Sequence, residues 1–252
     1  MLDIDIRGDI AILAMNRPDK RNAMCDDLLD RIDGFFRKVP DGVKVAVLCG
    51  NGGHFCSGLD LSEHVQRDAE GTMRHSRNWH AIMDRIQFGG LPVVSAMTGA
   101  VIGGGLELAA ATHIRVAEPS TIYQLPEGRH GIFVGGGASV RVAKLIGPGR
   151  MCEMMLTGRI LDADEGQRLG LSHYRVEAGA ASAKARELAQ RVAENAPMAN
   201  WAMCSAIARI DNMASDDGLF VESLTAALTQ TSPEVAERIG EFLKRKGQGP
   251  RT

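Results

Sequence analysis

No two cysteines stand at C-x-x-C spacing in the 252 residues, and the five present (Cys25, Cys49, Cys56, Cys152 and Cys204) are scattered and odd in number. Neither a disulfide framework nor a zinc site fits that set, so no metal is expected, and buried free thiols in a reducing cytoplasm are. Excess charge of one sign is missing too. With 29 basic and 31 acidic residues the formal net charge is −2, which gives no reason to expect nucleic acid or an anionic membrane as main partner. The glycine clusters at Gly103–Gly105, Gly135–Gly137 and Gly147 lack G-x-G-x-x-G spacing and a Walker lysine. A dinucleotide or triphosphate site is therefore disfavoured. The opening "MLDIDIRGDIAIL" has acidic residues and no long apolar region, so no secretory signal is expected. One uncharged run, Ile86 to Leu106, reaches the length of a membrane span. It holds six glycines and a proline, and reads as a buried strand followed by a glycine turn.

What is present is ordinary for a globular chain: 44% apolar and 24% charged residues, enough to bury a large core in one or two domains. "LDIDI" and "IAILAMN" around "RGD" read as a β-hairpin, followed by the basic loop "NRPDKRNAM". Leu28, Ile32, Phe35, Phe36 and Val39 recur at helical spacing, and Pro40 and Gly42 end that helix. "VKVAVLCG", "LPVVSAMTG" and "HIRVAE" read as strands, separated by the loop "NGGHFCSGLDLSE" with a helix after it and by the helix that follows Gly105. From about Pro148 helical signals dominate, ending in "SPEVAERIGEFLKRK" with Ser232 at the N-cap, Pro233 at the first helical position and Glu234 in the first turn. An α/β core with a helical C-terminal extension follows, and that extension is a candidate oligomer interface.

The stretch "VIGGGLELAAATH" places three glycines before a lone carboxylate, Glu107. Strand, glycine turn and helix leave backbone N–H groups unpaired at a helix N-terminus, where another molecule can approach closely. Amides so placed can form an oxyanion hole for a developing negative carbonyl oxygen. Glu107 sits about one turn inward, and Glu127 follows in "IYQLPEGRHG". Two carboxylates on one water would suit acid–base chemistry beside an activated carbonyl. Each residue also has a purely structural account. Glu107 favours the helix macrodipole in any case, Glu127 before Gly128 can be a solvated turn residue, and Gly135–Gly137 can be a close-packed helix start. His64, His113 and His130 lack metal-ligand spacing and read as structural or exposed, with His130 the nearest to a site.

Taken together, "NRPDKRNAM", "GGHFCSGLDLSE", "LPVVSAMTGAVIGGGLELAAATHIRVAE", "PEGRHGIFVGGG" and "AKLIGPGRMCEMMLTGRILDADEGQRLGL" resemble the crotonase superfamily, the enoyl-CoA hydratases and isomerases, in order and spacing over essentially the whole chain. The resemblance implies an α/β spiral of ββα units over residues 1–195 and a helical oligomerisation region over 196–252, used for a trimer or a dimer of trimers. It implies backbone oxyanion-hole donors at Leu59 and Gly104, and catalytic roles for Glu107 and Glu127. Coenzyme A would lie against Lys20, Arg21 and the backbone around Cys56, Ser57 and Asp60, as part of an acyl-CoA substrate, with no cofactor. Possession of both glutamates favours hydration of a short-chain trans-2-enoyl-CoA in the cytoplasm. An isomerase, a thioester hydrolase and a non-catalytic CoA-ester-binding homologue are the other readings within the resemblance. Tyr123-Gln124-Leu125 stands where the usual hydratase has Phe-Gly-Gln, and Val134 where a proline is frequent, which alters the acyl pocket. "RHGIFVGGGASVRVAKLIG" and "DGLFVESLTAAL" are similar to the subgroup containing (methylthio)acryloyl-CoA hydratases.

Overall fold

The computed structural model describes residues 1–62 and 66–247, so the reading of His64 lies outside the described residues. The strands are β1 (Leu2–Arg7), β2 (Ile10–Met15), β3 (Val45–Gly50), β4 (Val93–Met97), β5 (Ala100–Ile102), β6 (Ile114–Ala117), β7 (Ile122–Gln124), β8 (Leu161–Asp162) and β9 (Tyr174–Arg175). The helices are α1 (Asp26–Arg37), α2 (Ala69–Phe88), α3 (Gly104–Ala110), α4 (Ala138–Ile146), α5 (Pro148–Thr157), α6 (Ala163–Leu169), α7 (Ala181–Ala193), α8 (Pro197–Ile210), α9 (Ser215–Gln230) and α10 (Pro233–Gly247).

After the β1–β2 hairpin every strand of the larger sheet joins in parallel, giving the order β1-β2-β3-β4-β6-β9. Each newcomer is laid on the same edge. Between additions the chain gives a strand to a smaller sheet, ordered β5-β7-β8, and then a helix. Thus β4–β5–α3 and β6–β7–α4 are successive turns of one α/β spiral. An isolated bridge from Cys56 to Val101 ties the loop after β3 to the edge of the smaller sheet.

The inner face of the large sheet, with Ala11, Leu13 and Met15, packs on Leu28, Leu29, Ile32 and Phe35 of α1 and on Trp79, Ile82, Met83 and Ile86 of α2. The i, i+3, i+4, i+7 spacing on α2 gives a helix one apolar stripe. The opposite face, with Ile12, Val47, Val94 and Val116, is covered by α7 through Ala181, Ala185, Leu188, Ala189 and Ala193. These mostly small side chains permit a close approach.

Two expectations are corrected. The later half is not purely helical, because β8 and β9 complete the sheets; at two residues each they carry no periodicity. Helix α10 does begin at Pro233, but Ser232 does not cap it with its side chain. The Ser232 carbonyl accepts from the Val235 N–H at 3.1 Å, while its buried hydroxyl has no partner among the described residues. The uncharged run from Ile86 to Leu106 divides into the end of α2, β4, β5 and the start of α3. Among the described residues no helix is long and apolar enough to cross a membrane.

Candidate active site

The parallel register of β5 on β7 pairs Ile102 with Gln124. The Gly103 N–H donates to the Gln124 carbonyl at 2.9 Å, so the glycine turn after β5 and the Pro126–Glu127 corner after β7 emerge side by side. The three glycines serve different needs. Gly103 has φ +52, and a Cβ there would stand 3.0 Å from Glu127 Oε1. A Cβ on Gly104 would stand 2.9 Å from Met24 Cε and 2.8 Å from the Trp79 ring, and one on Gly105 would overlap the Cys56 carbonyl. Each added atom would push apart groups that already touch.

These turns open on a cavity of about 340 Å³ whose walls include Gly58, Leu59, Gly104, Glu107, Glu127 and Gly136. The N–H groups of Leu59 and Gly104 have no acceptor among the described residues, although their neighbours do: Asp60 N–H donates to Met24 O at 2.8 Å and Gly103 N–H is spent on Gln124. Gly58, at φ +95, lies against Gly103 and Gly104, where a Cβ would be 3.4 Å from the Gly104 nitrogen. Two unpaired donors from separate turns therefore line one concave surface, the arrangement an oxyanion hole requires.

The two carboxylates are held differently. Glu107 is 3% exposed, and its Oε1 accepts from the N–H groups of Gly136 (2.8 Å) and Ala138 (3.0 Å). Burial pushes its carboxyl above the ordinary range, opposed by those amides and by the Arg141 guanidinium. Glu127 opens a 3₁₀ turn, Glu127–His130, and its buried Oε2 has no partner among the described residues. Burial pushes Glu127 up to about 7, and the nearby Glu107 charge acts in the same direction. One site thus holds two buried carboxyls, both raised by burial, one braced by backbone amides and one with an oxygen that has no partner among the described residues.

The remaining candidates fall into three groups. Ser57 lines the cavity, with its N–H on the Arg21 carbonyl at 3.0 Å and its hydroxyl on the Lys20 carbonyl at 3.2 Å. Lys20 and Arg21 are exposed on the basic loop next to it, outside the lining. Cys56 and Asp60 are buried behind the wall. The Cys56 N–H and carbonyl are spent on Ala100 and Ile102, and burial raises its thiol to about 12. Asp60 accepts from Ser62 and, at 2.9 Å, from the buried Arg17; with Lys20 nearby these hold its carboxyl down at about 2. Both residues shape the loop that presents Ser57 and Leu59. His130 lines the cavity. His113 does not: its Nδ1 accepts from Val93 N–H, its Nε2 faces the Gln87 carbonyl, and burial lowers it to about 4. Val134 lines the cavity, whereas Tyr123, Gln124 and Leu125 do not. Tyr123 is fully buried and packs where a Cβ on Gly166 would collide with its ring.

Reading the sequence missed the Gly136 and Ala138 amides as partners of Glu107, although the triplet before α4 was the available signal. A larger cavity of about 710 Å³ lies behind that turn, lined in part by Asp84, Gln87, Arg141 and α8, and contains neither Glu107 nor Glu127.

The enoyl-CoA hydratase/isomerase family profile matches residues 5–247. The chain is similar to the enoyl-CoA hydratase EchA19 of Mycobacterium tuberculosis, at 28% identity over 96% of this chain and 93% of that protein. It is similar to the short-chain-enoyl-CoA hydratase of Clostridium acetobutylicum, at 28% identity over 98% and 96%. Among solved structures, a Rhodopseudomonas palustris protein described as a candidate enoyl-CoA hydratase superposes with a TM-score of 0.95 at 48% identity, over 98% of this chain and 95% of that one. The enoyl-CoA hydratase of Bacillus anthracis superposes at 0.91 with 27% identity, over 97% and 96%. With the spiral of strands and helices, these matches make the chain a member of the enoyl-CoA hydratase/isomerase family, the crotonase superfamily.

Proposed function

We propose that this protein adds water across the 2,3 double bond of a short-chain trans-2-enoyl-CoA. The observation that carries the reading is the difference in how two glutamates facing one cavity are held: Glu107 Oε1 accepts from two amides, whereas Glu127 Oε2 has no partner among the described residues. The thioester oxygen accepts from the Leu59 and Gly104 N–H groups, which stabilise the enolate. The Glu107 carboxylate takes a proton from water as its oxygen bonds to Cβ. Glu127 helps to hold that water and gives a proton to Cα, so the net change is one proton moved from Glu127 to Glu107, restored on exchange with solvent. No cofactor takes part, and coenzyme A belongs to the substrate.

On this reading Lys20 and Arg21 receive the nucleotide phosphates, and Ser57 with the loop framed by Cys56 and Asp60 supports the pantetheine arm. The acyl chain meets Trp79, Phe133 and Val134, and Val134 favours substituted chains, thioether-bearing acrylates among them, over long straight ones. The helical region from residue 196 joins copies of the chain into a trimer or a dimer of trimers: Phe220, Leu224 and Leu228 make an exposed apolar stripe along α9. The five unpaired thiols fit a cytoplasmic location.

Loss of the conjugated thioester absorbance of crotonyl-CoA is the test, extended to the methylthio acrylate ester. The wild type is expected to turn over one or both, and Glu107→Gln and Glu127→Gln each to fall by roughly 10²-fold or more. Survival of one variant with double-bond migration would replace hydration by isomerisation. Binding without turnover would leave a CoA-ester-binding protein.

A further inference from the structure

Glu107 owes its orientation to two amides that no side chain of α3 controls. The N–H of Gly136 and the carbonyl of Gly135 belong to one peptide group, which is planar, so fixing one end fixes the direction of the other. That carbonyl accepts from the Ser76 hydroxyl of α2 at 2.6 Å. The Gly136–Gly137 peptide, which comes just before the one that carries the Ala138 N–H, is held as well: the Gly136 carbonyl accepts from Arg141 Nη1 at 3.3 Å. Arg141, 9% exposed, is itself gripped by α2 through Gln87 Oε1 (2.7 Å) and Asp84 Oδ1 (2.5 Å). A Cβ on Gly136 would meet both Glu107 Oε2 at 2.6 Å and the Trp79 ring at 2.8 Å, so the turn has no slack on its inner side.

We infer that Ser76 and Arg141 are positioning residues for Glu107: Ser76 clamps the peptide that presents the Gly136 N–H, and Arg141, held by α2, clamps the peptide between the two that Glu107 accepts from. Neither reaches the reacting atoms in this scheme. Ser76 acts through geometry alone, because a hydroxyl adds no charge. Arg141 acts through geometry and through its positive charge, which favours the ionised form of Glu107. Other titratable groups stand around the turn: Glu127 on the 3₁₀ turn, Asp84 behind Arg141, and His80, whose Nε2 lies 3.4 Å from the Ser76 hydroxyl. His75 is 3.4 Å from the Trp79 indole nitrogen.

The inference rests on the proposed role of Glu107, so its test includes a readout that needs no turnover. Trp79 adjoins Glu107, and the other tryptophan, Trp201, is removed by Trp201→Phe. In that background the acidic transition of Trp79 fluorescence that disappears in Glu107→Gln reports protonation of Glu107, separated in this way from any contribution of His75. Ser76→Ala and Arg141→Gln are each expected to move that transition to higher pH, Arg141→Gln by about one unit. With a turned-over enoyl-CoA, kcat is expected to fall roughly 10-fold in Ser76→Ala and about 10²-fold in Arg141→Gln. KM is expected to hold and the acid limb of the rate profile to shift with the fluorescence. Ser76→Thr should restore most of kcat, and Arg141→Lys should restore the pH position more than the rate. Where Arg141→Gln fails to fold, Ser76→Ala carries the test. Folded variants with an unmoved transition and unchanged kcat would overturn the clamp and leave the hydratase reading standing. A shifted transition in a protein that hydrates no enoyl-CoA would do the reverse.

Discussion

At the scale of single residues, Glu127 links stability to pH. Its folded-state value near 7 lies above the ordinary carboxylate range of about 4.5. Between those values the native state binds more proton than the unfolded chain, so this residue's favourable contribution is complete below about pH 4.5 and is lost as pH rises through 7. Glu127→Gln, which never ionises, should therefore gain stability relative to the wild type as pH is raised from 5 to 8, by about 1–3 kcal/mol. Thermal unfolding at the two ends of that range checks it; an equal difference at both would remove the buried, partnerless Oε2 from the explanation. Residue type and spacing singled out both carboxylates, one after a glycine turn and one after a proline, but left each a structural account as well; only likeness to a family gave them roles. The partners of Glu107 were not singled out, because Gly136 and Ala138 lie about thirty residues downstream and act through backbone atoms. Nothing in the side chains at 135–138 states that their amides point at a glutamate.

At the scale of elements, the loop after β3 and the turn after β5 depend on each other. The Cys56 N–H donates to Ala100 O and the Ile102 N–H to Cys56 O, each within about 3 Å, and Gly105 lies over the Cys56 carbonyl without room for a methyl group. Backbone cannot yield as a flexible side chain can. Gly105→Ala should therefore cost about 2–4 kcal/mol, although alanine is the better helix former by roughly 1 kcal/mol. Urea denaturation measures this, and a neutral or stabilising change would show that the two loops separate easily. Helices were readable where the apolar spacing was long, as in α1 and α7. The strands β8 and β9 were not, since their pairing depends on sheet edges that exist only once the spiral has formed. Cys56 and Asp60 show a related dependence: through Ala100 and Ile102, and through Ser62 and Arg17, they hold from behind the loop that presents Ser57 and Leu59.

At the scale of the whole molecule, the helical region beyond residue 196 is less well buried than the core. In α9 only Gly218 is buried, while Leu219, Phe220, Leu224 and Leu228 are exposed. A stripe of this kind on a monomer is an interaction surface or an aggregation hazard. Sedimentation should give a mass that is a multiple of the 27.0 kDa chain, and the double variant Phe220→Arg, Leu224→Arg should shift it toward one chain. A wild type that sediments as a monomer would refute the oligomer outright. The α/β class and the placement of most elements followed from the residues alone, because alternation and 3.6-residue spacing are local. How the strands join a single edge in sequence is a property of the assembled sheet, and it was legible only through likeness to a family.

The bridge between Cys56 and Val101 separates two tasks. The donors at Leu59 and Gly104 are set by backbone pairing between consecutive turns of the spiral, whereas the facing wall comes from the first turns of α2 and from residues 130–134. On the proposed reading, side chains at Thr72, His130, Phe133 or Val134 can be exchanged without disturbing the pair of donors. Activation of the thioester is then written in main chain, which substitutions in that facing wall do not reach. The choice of acyl group is written in side chains, where each can change by a single codon. A library confined to those few positions would diversify which esters are accepted while leaving enolate formation intact.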